Sequence, residues 1–104
     1  MAEETSSDSS SQYRLPSATT LQHVVKISIT EDRPIMLDYW TGSLDKQVLI
    51  GMRESGEKLL VKSEDEYTSP ISKIYKVEGD YIILTENSIY LISSDVETKR
   101  ISGS

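Results

Sequence analysis

Cysteine is absent from this 104-residue chain, and histidine occurs once. Without cysteine there is no disulfide, no zinc-thiolate site and no thiol nucleophile; the absence accords with a reducing compartment. A lone histidine, His23, with no nucleophile-elbow context around any serine, gives no basis for a catalytic triad or a histidine metal site. The glycines at 42, 51, 56, 79 and 103 do not follow the spacing of a phosphate-binding loop. Long apolar runs are missing too. The longest are about four residues, far short of a membrane-crossing helix. The N-terminus is acidic and serine-rich where a signal peptide would be apolar. These features together predict a cytoplasmic or otherwise intracellular protein.

Positive charge is scarce. The net charge is −6 with a pI near 4.7, so the average field repels nucleic-acid phosphates and anionic lipid. Acidic pairs are plentiful, as in Glu31-Asp32 and Glu64-Asp65-Glu66. Neither has the apolar flanks that raise a carboxyl pKa for acid catalysis. The second lacks the spacing and glycine of a calcium loop. The expectation is a protein that is not an enzyme and carries no cofactor and no metal.

What the sequence does contain is concentrated between Glu66 and Ile92. Pro70 to Val77, Tyr81 to Thr85 and Ile89 to Ser93 read as three strands. Pro70 suits a first strand position. Glu78-Gly79-Asp80 and Glu86-Asn87-Ser88 read as turns, with Asn87 tolerant of a left-handed backbone. The runs YIIL and IYLI do not alternate, so both of their faces should be covered. Strands closing into a small barrel would do this, as would a second subunit; the barrel is preferred.

Elsewhere, Val24 to Thr30 alternates Val25, Ile27 and Ile29 against polar residues and reads as a strand, with a helical turn before it left open. Ile35 to Thr41, Val48 to Met52 and Lys58 to Lys62 are further strands, and Val96 to Ile101 is a charged edge strand. Residues 1–20 are poor in core formers and read as a disordered acidic tail, either a solubilising terminus or a partner-binding arm around Tyr13-Arg14-Leu15-Pro16. The β domain then spans 21–102, and Gly103-Ser104 read as an appended remnant. Seven or eight short antiparallel strands predict an all-β barrel or compact sandwich.

No motif names a function. Along Ile35 to Thr41, Met36, Asp38 and Trp40 share one parity, and Asp38 implies that this face is wet. The three are the candidate contact residues of a protein-interaction or assembly module, with self-association included. The competing reading makes Trp40 a lid over the end of the core. Two further readings stand beside this one. A small barrel with six tyrosines could stack single-stranded nucleic acid, although Lys73 and Lys76 fall on opposite faces. An acidic nucleic-acid mimic could instead occupy a basic partner through Glu64-Asp65-Glu66 and Asp80.

Overall fold

A computed structural model describes residues 14–101. Expectations for residues 1–13 and 102–104 lie outside these. In chain order the elements are α1 (Ala18–Glu31), β1 (Ile35–Met36), α2 (Trp40–Leu44), β2 (Leu49–Met52), β3 (Lys58–Ser63), β4 (Glu66–Tyr67), β5 (Ile71–Val77), β6 (Asp80–Thr85), β7 (Ile89–Ser93) and β8 (Thr98–Arg100).

The strands form two open four-stranded sheets, ordered β1-β7-β6-β5 and β4-β3-β2-β8. The expected closed antiparallel barrel is therefore corrected. Both sheets are mixed, because β1 lies parallel to β7 and β2 parallel to β8. The three strands from Ile71 to Ser93 do form the antiparallel meander read from the sequence, and β8 is an edge strand. The β5–β6 turn is Glu78-Gly79, and Glu78, not Gly79, takes the left-handed φ of 55°. Asn87 is not left-handed; the Thr85 hydroxyl instead accepts the amides of Asn87 and Ser88.

The doubly covered strands are β6 and β7, as their unbroken apolar runs require. One cover is a second sheet, as a compact sandwich would supply; the other is a pair of helices, which the sequence pattern does not predict. Ile82, Leu84, Ile89 and Leu91 point to one face, where they pack with Val24 of α1 and Trp40 of α2. Ile83 and Ile92 point to the other face, against Val48, Ile50 and Leu60 beside and within the second sheet. The chain thus makes three layers: helices, first sheet, second sheet.

The predicted strand at Val24 to Thr30 is helical. Its β-branched residues favour a strand by propensity, but tertiary packing overrides so weak a preference. The Ser17 hydroxyl accepts the amide of Thr20 and caps the helix, and Asp32 ends it in a left-handed conformation. Thr20, Val24 and Ile27, spaced i, i+4 and i+7, turn towards the sheet. The predicted strand from Ile35 to Thr41 is likewise cut to two residues, followed by a turn and then α2. No helix among the described residues is long and apolar enough to cross a membrane.

Within the span read as tail, Arg14, Ser17 and Thr20 are tied to the domain. The Asp80 carboxylate, fully buried, receives the Ser17 amide at 3.0 Å and the Thr20 hydroxyl at 2.8 Å on Oδ2. Arg14 Nη1 lies 2.8 Å from Oδ1, an ion pair and not an aligned hydrogen bond, while Arg14 Nη2 donates to the Gly79 carbonyl. A buried carboxylate is tolerated when it is paired with a cation and hydrogen-bonded, as Asp80 is through Oδ1 and Oδ2 respectively. Asp80 is consequently no surface acid and cannot be part of a nucleic-acid mimic.

Candidate interaction surfaces

The three residues singled out in the sequence do not share a face. Met36 pairs with Tyr90 at the edge of the first sheet and is about one-third exposed. Asp38 is exposed in the turn that follows, and its carbonyl accepts from Lys62 Nζ at 3.3 Å. Trp40 opens α2 and is buried, 7% exposed, among Val24, Ile82 and Leu91. Its Nε1 donates to the Arg14 carbonyl at 2.9 Å, and the Arg14 guanidinium sits 5.0 Å from the ring centroid. That is the environment of a core aromatic with its one donor satisfied. The shared parity fails because β1 ends at Met36, before Asp38 and Trp40 are reached.

A tyrosine pair sits next to this turn. Tyr39 is buried, with its ring edge-on to Tyr90 at 5.2 Å and the Lys62 ammonium 5.4 Å from its centroid. Burial, reinforced by the charges on Tyr90, Glu66 and Asp38, pushes the Tyr39 hydroxyl up to about 12 from 10.0. Burial raises Tyr90 as well. A group whose folded pKa is raised stays protonated when its unfolded counterpart has already ionised, so stability falls as pH rises through that interval. Folding stability should decline between pH 10.0 and about 12, and Tyr39→Phe should flatten that decline. Urea midpoints measured across the interval check it; an equally steep decline in the variant would sink the assignment to Tyr39.

Two unpartnered features remain. The first is the outer ridge of α1. Leu21, Val25 and Ile29 recur at i, i+4 and i+8 and are 40%, 48% and 76% exposed. Ala18, one turn before them, is exposed as well. The row is turned away from the buried row of Thr20, Val24 and Ile27. Leu37, just past β1, adds another exposed aliphatic side chain, and β1 itself packs beside α1. Sequence reasoning missed this ridge because it gave Val25 and Ile29 to a strand. The i, i+4, i+8 spacing that marks it was present in LQHVVKISI.

The second is the edge of the first sheet at β5. From Ser72 to Lys76 every residue is exposed, including Ile74 and Tyr75. His23 is a solvent-facing helical residue. Among the described residues no three His, Cys, Asp or Glu side chains gather as a metal site would need. Met52, Glu54, Arg100 and Ile101 line a surface hollow.

No family model matches this chain, and no curated protein or solved structure does so either.

Proposed function

We propose that the protein is a non-enzymatic interaction module that assembles through the outer ridge of α1, with a second copy of the chain as the partner. The observation that carries this is the exposed row Leu21, Val25 and Ile29 on a helix whose other apolar row is already buried. An isolated surface helix in a monomer keeps polar residues on its outer side; a helix apolar on both sides is one that is covered on both. A row of i±4 side chains is also the ridge that fits the groove of an identical helix. In a two-fold pair the helices run antiparallel, setting Leu21 near Ile29 of the other copy and Val25 at the centre. Each helix N-terminus then lies near the other's C-terminus, where the macrodipoles attract. None of the ridge positions carries a charge.

Sedimentation velocity over a concentration series tests this reading. The expected result is a reversible dimer that Ile29→Glu and Val25→Glu convert to monomer, each with an unchanged unfolding midpoint. A chain that stays monomeric at every concentration, or a dimer indifferent to both substitutions, would overturn it.

A further inference from the structure

The open edge at β5 has different chemistry from the α1 ridge, and it carries an inference of its own. The three other sheet edges are short: β1 and β4 have two residues each and β8 has three, whereas β5 has seven. It is hydrogen-bonded on one side only, to β6; β3 of the other sheet approaches it without pairing. A strand of that length presents about 23 Å of unpaired backbone.

The two-residue turn Glu78-Gly79 makes Val77 and Asp80 the pair that closes the hairpin. Counting back along β5, Tyr75 and Lys73 direct their amides at β6, while the amides and carbonyls of Ile74 and Lys76 point outwards. The side chains sort equally clearly. Opposite Ile82 and Leu84 on the helix-side face stand Tyr75 and Lys73; opposite Ile83 and Tyr81 on the other face stand Ile74 and Lys76. Each face of the edge therefore offers one apolar side chain and one ammonium. Arg14, Arg53, Lys62 and Lys99 have ion-pair partners, but Lys73 and Lys76 have none among the described residues.

We propose that β5 is a docking edge for an extended segment of another protein, which adds a fifth strand to the sheet and carries the pattern acid–apolar–apolar–acid. The order Lys73-Ile74-Tyr75-Lys76 reads the same in both directions, so that pattern complements it in a parallel or an antiparallel strand. Main-chain bonds to Ile74 and Lys76 hold the segment, and alternate side chains set its specificity. A second copy of β5 is disfavoured: outward-pointing residues stand only opposite outward-pointing ones, so Ile74 would meet Ile74 or Lys76, and either register gathers four ammonium groups along one seam with no carboxylate in β5 to offset them. The chain's own termini are disfavoured as well, because no four consecutive residues of this sequence have the pattern. The bulge between Ile71 and Lys73 limits regular pairing to the stretch from Lys73 to Val77.

The test uses the full chain and two synthetic octapeptides, one with Glu-Val-Ile-Glu at its centre and one with Lys-Val-Ile-Lys. Fluorescence anisotropy should show saturable binding of the acidic peptide only. The double variant K73E/K76E should bind it at least tenfold more weakly and should gain binding of the basic peptide, with its unfolding midpoint unchanged. In hydrogen exchange, the amides of Ile74 and Lys76 should become protected when the acidic peptide is added. Absence of binding, equal binding by K73E/K76E, or protection confined to α1 would overturn the proposal. Protection of Ile74 and Lys76 in the free chain would overturn it too, since the edge would then already be occupied by the protein itself. Failure of the α1 dimer leaves every one of these readouts unaffected.

Discussion

Trp40→Ala is expected to cost about 3–5 kcal/mol of folding stability, the range for emptying a buried Trp or Phe site. The indole fills the space between α2, Val24 of α1 and Leu91 of β7. Its removal also leaves the Arg14 carbonyl without its donor and the Arg14 guanidinium without an aromatic face. Trp40→Phe separates these contributions. It keeps most of the packing and loses the Nε1 bond, worth about 1 kcal/mol. Urea unfolding of both variants makes the comparison. The order should be wild type, then Phe, then Ala, with no change in the assembly state of whatever remains folded. A full-strength fold in Trp40→Ala together with weakened assembly would return Trp40 to the role of a contact residue, which its burial argues against.

The second large effect lies on the sheet itself. Ile83→Ala and Leu91→Ala should each cost about 2–5 kcal/mol. Both side chains are fully buried, yet they serve opposite faces of the first sheet: Leu91 packs under the helices and Ile83 packs against the second sheet. A small domain holds about 5–15 kcal/mol in all, so either truncation removes a large share of it. The two variants should lose ellipticity and near-ultraviolet signal in one transition, because a single sheet shares its strands between both clusters. A loss below about 1 kcal/mol, the scale of surface changes, at either site would mean that one of the two faces is not a true core. Separate transitions for the two layers would mean that the shared sheet does not couple them.

The meander from Ile71 to Ser93 was legible in the sequence because its information is local: apolar runs of strand length, interrupted by turn residues, at hairpin spacing. That both faces of YIIL and IYLI are covered was legible for the same reason. The identity of the cover was not. LQHVVKISIT satisfies the alternation of a strand at Val25, Ile27 and Ile29 and the helical spacing at Leu21, Val25 and Ile29 at once. What decides between them is the cap at Ser17 and the Asp80 carboxylate 63 residues away, and neither has a signature within the segment. Trp40 was misplaced by the same kind of ambiguity, since a period-two reading of IMLDYW cannot see that β1 stops after two residues. The parallel pairings of β1 with β7 and β2 with β8 are set by distant partners and leave no local mark. The open edge at β5 was legible as a strand, but not as an edge, because strand order is a property of the assembled sheet.

The pairing of β1 with β7 and of β2 with β8 also has a bearing on how the chain can reach this state. On a ribosome, α1 and β1 emerge about fifty residues ahead of β6 and β7, the strands that shelter them. Throughout that interval Val24 and Ile27 are without the sheet that later covers them. Closure awaits the C-terminal half, so the loops to be closed are long and folding belongs to the slower, non-local class. The hairpins of β5, β6 and β7 can form by themselves as soon as they are made; α1 can only dock onto a sheet that already exists.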